Sequence, residues 1–178
     1  SRLMDENKIS LGTVEADMNR LSQEGKTPML IALGGELLGV ISVSDTIKES
    51  SIQAIESMHK LGIETVLLTG DNQQAAEYIG GIVGTDRVIA GVLPQDKAQV
   101  IADYQAKGKK VMMVGDGIND APALAAADVG CAIGSGSDIA IESASIVLMK
   151  SDLRDVAKAI SLSRLTIRNI KQNLFWAF

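Results

Sequence analysis

Aromatic residues are scarce in this chain, with one Trp, two Tyr and two Phe among 178 residues. Its core must therefore be aliphatic and thioether-rich, and seven methionines supply adaptable filler. A single cysteine, Cys131, excludes an internal disulfide and offers no thiolate cluster for a metal. Its neighbours Val129, Gly130, Ala132 and Ile133 mark it as a small core residue. The single His59 has no second His or Cys at ligand spacing, so a packing or surface role is expected rather than catalysis. Met112 and Met113 sit in an apolar run and read as packing, not as copper ligands. No basic block is present and the net charge is −5, which leaves a nucleic-acid partner without support. No stretch reaches the ~18 to 20 apolar residues that span a bilayer. No secretory leader is visible, and Ser1 without a preceding Met reads as the start of a fragment.

With 46% hydrophobic residues, the chain can bury one good core with a small appendage. Residues 14–24 predict a short helix stopped by Gly25. Residues 28–33 and 36–43 flank Gly34 and Gly35 and predict a hairpin. From residue 46 the rhythm changes to helix, strand, helix, strand. Ile52, Ile55, Met58 and Leu61 recur at three-residue steps, and Gly62 closes that helix. Further strands are expected at 63–68, 88–90, 111–114, 128–133 and 146–149, with helices at 73–83, 96–106 and 120–127. Strands that are apolar on both faces and alternate with helices indicate a parallel sheet covered on both sides. Ligands collect beyond the carboxyl ends of such strands.

Chemistry-bearing residues fall at those ends. Val111 to Val114 runs into Gly115-Asp116-Gly117-Ile118-Asn119-Asp120, two carboxylates and an amide on a glycine-hinged loop. Hard oxygens at that spacing suit Mg2+. A plain Asp-Gly turn with Asn119 or Asp120 as helix cap fits the same residues. Leu67-Leu68 leads into Thr69-Gly70-Asp71-Asn72. There Thr69 and the loop amides could hold a phosphate oxygen, and Asp71 could orient a nucleophile or merely cap the next helix. Lys97 follows Pro94 in the first turn of a helix, where a cation opposes the helix dipole. Reaching across to a phosphoryl group would explain that position. Asp45, after Val43-Ser44, adds a carboxylate at one more strand exit, with a solvated N-cap as the alternative.

Four strand ends of this kind in this order resemble the catalytic domain of the P-type cation-transporting ATPases, which have the haloacid-dehalogenase-like fold. The resemblance rests on Asp45 to Lys48, Thr69 to Asp71, Pro94 to Lys97 and Gly115 to Pro122. It continues through Ala-Leu-Ala-Ala-Ala-Asp-Val-Gly at 123–130 and Gly-Ser-Gly-Ser-Asp at 134–138. It implies an α/β fold: a Rossmann-like parallel sheet with helices on both faces, preceded by a partial α+β segment. It also implies that Asp116 binds Mg2+ and that Asp120, with Asn119, completes or supports that site. Thr69 and Lys97 would contact the transferred phosphoryl group, and Gly70 and Asp71 would help hold Mg-nucleotide. Asp45 would support the site from the preceding strand. Mg2+ and ATP are the implied cofactors, most ATP contacts lying upstream. Such roles accord with phosphoryl transfer, where catalysis is chiefly positioning and charge stabilisation.

One departure is large. The family's nucleophile is the aspartate of Asp-Lys-Thr-Gly-Thr, and that string is absent here. Asp96-Lys97-Ala98 is a superficial match inside a predicted helix. The resemblance places the nucleophile upstream, making residues 1–39 the end of the nucleotide-binding domain and 40–151 a phosphorylation domain without its nucleophile segment. Residues 152–178 would be a stalk helix leading to a transmembrane helix. Partners would then be the rest of the same polypeptide: its nucleophile segment and its nucleotide-binding, actuator and membrane domains. The fragment would face the cytoplasm from a multi-pass membrane protein, and alone it is expected not to autophosphorylate.

Three of the five aromatics, Phe175, Trp176 and Phe178, crowd into the last four positions. A helix entering a membrane interface and a terminal helix docking on its own core both fit. The run Asn173-Leu174-Phe175-Trp176-Ala177-Phe178 is most similar to the copper(I) exporters of the heavy-metal subgroup, which implies Cu(I) as cargo. Two other classes remain. A stand-alone phosphatase of this fold would need an aspartate nucleophile at an N-terminal strand end, and none precedes Asp45. A Mg2+-binding regulatory module would leave Lys97 and the aromatic terminus unexplained.

Overall fold

The computed structural model describes residues 2–7, 9–43, 46–115, 118–134 and 142–177. A five-residue helix α1 (Arg2–Glu6), not foreseen from the sequence, precedes α2 (Val14–Gln23). Strands β1 (Thr27–Leu33) and β2 (Glu36–Val43) pair antiparallel. Gly34 and Gly35 between them take φ of 61° and 88°, the left-handed values a two-residue hairpin turn of this hand needs. The register shifts between Ile31 and Ala32. The hairpin leaves Met29, Ile31, Leu33, Leu38, Ile41 and Val43 exposed, whereas Leu30 is half-buried.

The helix–strand alternation follows as α3 (Glu49–Lys60), β3 (Val66–Leu68), α4 (Gln73–Val83), β4 (Arg87–Ile89), α5 (Lys97–Ala106) and β5 (Met112–Gly115). Then come α6 (Ala121–Ala126), β6 (Val129–Ile133), β7 (Ile146–Leu148) and α7 (Arg154–Ala177). β5 shows why helices cover both faces. Met113 points to Ile101 of α5 and Ala123 and Leu124 of α6. Met112 and Val114 point the other way, to Met58 of α3 and Val156 of α7. That alternation is the period-2 signature of a strand buried on both sides. Cys131 is fully buried in the second cluster, and burial pushes its thiol pKa up, as a core role requires.

Two differences from the sequence reading have a common cause. β3 and β5 each begin later than their apolar runs, because the amide just ahead of each strand is taken by a side chain. Thr65 N donates to Asp86 Oδ2 across 2.7 Å, and Val111 N donates to Asp128 Oδ2 across 3.0 Å. Each aspartate immediately precedes the neighbouring strand, so the two β-pairs open with the same clasp. The clasp on Asp86 also includes His59 Nε2 at 3.0 Å, which gives that histidine a structural role.

The expected single sheet is hydrogen-bonded in two pieces. β3 pairs parallel with β4, and β5, β6 and β7 form a three-stranded parallel ladder. Among the described residues β3 and β5 each carry a partner on one side only. Glu64, ahead of β3, nevertheless takes both Arg87 of β4 (2.9 Å) and Lys109, ahead of β5 (3.0 Å), which ties the pieces together at their amino ends.

α7 begins inside the core, where Val156 and Ala157 are buried. From residue 162 to 177 every position is exposed, so this half of the helix does not dock on the domain's own core. Among the described residues no helix is long and apolar enough to cross a membrane.

Candidate phosphoryl-transfer site

The loop after β3 is built on Thr69. Its amide donates to Ile89 O (3.0 Å), continuing the β3–β4 ladder by one bond, and its carbonyl accepts from Val92 N (3.1 Å). Gly91 N donates to Asp71 O (2.8 Å), so residues 69–71 and 91–92 are stitched backbone to backbone. Within the loop Thr69 Oγ1 donates to Asp71 Oδ2 (2.8 Å) and accepts from Asp71 N (3.2 Å). The alternative that Asp71 caps α4 is not realised. Asn72 does that work, its Oδ1 accepting from Ala75 N at 2.9 Å. Asp71 is left exposed at the strand end, oriented by Thr69.

The chain runs from Val92 through a 3-10 turn, Pro94–Asp96, into α5, whose first residue is Lys97. Lys97 faces a positive helix end. Its Nζ donates to Asp120 Oδ1 across 2.7 Å, with the two side chains only 15% and 14% exposed. Asp120 sits at the N-cap position of α6 yet makes no cap hydrogen bond, because its carboxylate turns to Lys97 instead. The sequence reading sent Lys97 toward a phosphoryl group without anticipating this partner. The two residues lie 23 apart, and only the packing of the turn at Pro94–Asp96 against that at Ile118–Asp120 brings them together.

Asp120 also explains Gly115. A Cβ there would stand 2.8 Å from Asp120 Oδ2 and 2.9 Å from its Cβ, so the carboxylate rests on the bare α-carbon. Oδ2 accepts no hydrogen bond from a described residue. Asn119 is exposed beside it. Asp45 and Asp116 lie outside the described residues, and among those described no three metal-ligating side chains cluster. Thr69 and Asp71 are thus brought together, as are Lys97 and Asp120. The loop at 90–96 connects the two pairs, all at the carboxyl ends of parallel strands. Gly91 and Val92, which carry that connection, were missed by motif reading because their contribution is backbone and leaves no side-chain signal.

Two sequence models, both described as haloacid dehalogenase-like hydrolase, match residues 1–128 and 97–160. The chain is 50% identical over 176 residues to a copper-exporting P-type ATPase of Bacillus subtilis (strain 168), covering 99% of this chain and 22% of that protein. It is 52% identical over 178 residues to a copper-exporting P-type ATPase of Staphylococcus aureus (strain JH9), again with 99% and 22% coverage. The chain therefore spans about a fifth of the length of these relatives. Among solved structures, a zinc-transporting PIB-type ATPase superposes with a TM-score of 0.81 at 39% identity, over 93% of this chain and 27% of that one. The catalytic domain of a CPx-ATPase superposes with a TM-score of 0.58 at 29% identity, over 70% and 48%.

Proposed function

Because the chain belongs to the haloacid dehalogenase-like hydrolase family, we propose that it is part of the cytoplasmic ATP-hydrolysing unit of a P-type ATPase that exports copper(I). The observation that carries this reading is the largely buried Lys97–Asp120 pair at the carboxyl ends of parallel strands, joined through the loop at 90–96 to Thr69 and Asp71. In this reading residues 1–39 close a nucleotide-binding domain, 40–151 form the phosphorylation domain and 152–178 are the stalk. Copper is assigned from relatives at 50% and 52% identity that are named copper-exporting, against 39% for the zinc-transporting structure.

The settings of the described residues support a part for each. Thr69 presents a hydroxyl and a stitched backbone to a phosphoryl oxygen, and Asp71 stands free of helix capping to orient nucleotide. Lys97 holds a cation where negative charge accumulates during transfer. Asp120, whose Oδ2 accepts no hydrogen bond from a described residue, fits Mg2+, which takes one or two carboxylates plus phosphate and water oxygens. Asp116 would be its companion ligand, with Asn119 and Asp45 supporting. When bound, Mg2+ supplies neutralisation of the phosphoryl oxygens. The nucleophile is an aspartate that these 178 residues do not carry, since Asp-Lys-Thr-Gly-Thr is absent. The edges of β3 and β5 that pair with no described residue offer backbone partners to a strand bearing it.

The test uses the full-length transporter. Lys97→Ala and Asp120→Asn should each lower the acid-stable, hydroxylamine-labile phosphoenzyme formed from ATP and Mg2+ by on the order of a hundredfold. Wild-type labelling in both variants would overturn the assignment. The 178-residue chain should form no phosphoprotein, and label on it would show that the nucleophile lies within.

A further inference from the structure

We infer that Lys97 is a specificity-determining residue for the metal: by holding one oxygen of Asp120 it confines that carboxylate to single-oxygen ligation, which favours Mg2+ over Ca2+. The inference rests on the reading of Asp120 as a Mg2+ ligand and adds to it a reason for the choice of cation.

The grip on Asp120 is the first support. Lys97 Nζ donates to Oδ1 across 2.7 Å, and both side chains are largely buried, so little water competes for that oxygen. On its other side the carboxylate lies against Gly115, where a Cβ would stand 2.8 Å from Oδ2 and 3.1 Å from the carboxyl carbon. Gly115 restrains the group without claiming Oδ2, which accepts no hydrogen bond from a described residue. Held from both sides, Asp120 has one oxygen to give.

The two helix ends are the second support. Lys97 is the first residue of α5, and Asp120 occupies the N-cap position of α6. A helix N-terminus carries partial positive charge, which disfavours the lysine at its own helix and favours the aspartate at the other. Lys97 therefore depends on Asp120 for its counter-charge. The pair persists while Oδ2 is engaged elsewhere.

Coordination chemistry supplies the third. Mg2+ takes about six oxygens in a near-ideal octahedron and is satisfied by single oxygens from one or two carboxylates, water and phosphate filling the rest. Ca2+ is larger, takes about six to eight oxygens, and fills its wider shell with carboxylates that bind through both oxygens. Confining Asp120 to Oδ2 removes a ligand from Ca2+ and none from Mg2+. The charge of Lys97 repels the two ions alike, so selectivity comes from the occupied oxygen.

The test is metal binding by the full-length transporter without nucleotide. Mn2+ is the probe, its free concentration is read by electron paramagnetic resonance, and Asp120→Asn gives the background from all other sites. Mg2+ and Ca2+ are then titrated as competitors. Lys97→Met should bind both competitors more tightly than the parent, and the ratio of Ca2+ to Mg2+ affinity should rise roughly tenfold. Lys97→Gln, whose amide is one bond shorter than the ammonium, should move the ratio in the same direction, and it serves if the methionine variant does not fold. An unchanged ratio, or one moved toward Mg2+, in a variant that elutes like the parent would overturn the selectivity role and leave the magnesium reading intact. Mn2+ binding by the parent no greater than by Asp120→Asn would overturn both.

Discussion

Lys97 Nζ and Asp120 Oδ1 stand 2.7 Å apart with both side chains largely buried, joining the first residue of α5 to the N-cap position of α6. Removing either partner leaves the other desolvated without its counter-charge. Lys97→Met and Asp120→Asn are each expected to destabilise the chain by about 2 kcal/mol, with the double variant costing clearly less than the sum. Urea unfolding of the four proteins checks this, and additive losses would contradict a direct pair.

Asp71 and Asn72 are neighbours with different work. Asn72 accepts from Ala75 N at the start of α4, whereas Asp71 contacts Thr69 on an exposed loop. Asn72→Ala should cost about 1 kcal/mol of stability. Asp71→Ala should cost much less in the same assay, while in the full-length transporter it should weaken nucleotide-dependent phosphorylation. The reverse ranking in thermal unfolding would assign the cap to the wrong residue.

Gly130 lies in β6 directly against the end of α6, where a Cβ would drive into the carbonyl oxygen of Leu124. Leu124 is among the most deeply buried side chains, so the helix has little freedom to retreat. Gly130→Ala should destabilise by roughly 1 to 3 kcal/mol. Gly81→Ala makes the matched control, since a Cβ there meets nothing within 4 Å. Its midpoint should equal or exceed that of the parent.

The guanidinium of Arg154, and then its amide, hold the Asp152 carboxyl from an ordinary 3.8 down to about 2. A depressed carboxylate stabilises the fold above its unfolded value and loses that contribution as pH falls through its folded value. The urea midpoint of the parent should therefore drop between pH ~4 and ~2 more steeply than that of Asp152→Asn. Parallel curves over that window would show that the Arg154 contact carries no linkage.

Local signals in the sequence located most of the fold. α4 occupies the expected 73–83, although its cap is Asn72 rather than Asp71, and it closes at Gly84 with φ 80°. The hairpin turns at the two glycines. What escaped was set by distant partners. Asp86 reaches Thr65 across 21 residues and Asp128 reaches Val111 across 17, shortening strands whose apolar runs look longer. No periodicity reports that β3 and β5 do not pair with each other, because both runs read as interior strands. Within the site, residue types at strand ends pointed to Thr69, Asp71, Lys97 and Asp120, but the Lys97–Asp120 contact depends on how two 3-10 turns meet. His59, unassigned by any motif, acquires its role through Asp86 and Thr65.

Helix α7 runs from Arg154 to Ala177 with neither proline nor glycine, so it has no built-in bend. Val156 at one end is fully buried against Met58 and Cys131, while Trp176 at the other stands in solvent. Such a rod is a lever whose short arm is gripped by the core. At about 1.5 Å per residue its 24 residues are roughly 36 Å long, and a tilt of about 10° would swing the far end by roughly 6 Å. Small repacking around Met58 is therefore read out at Trp176 as a displacement larger than a helical turn.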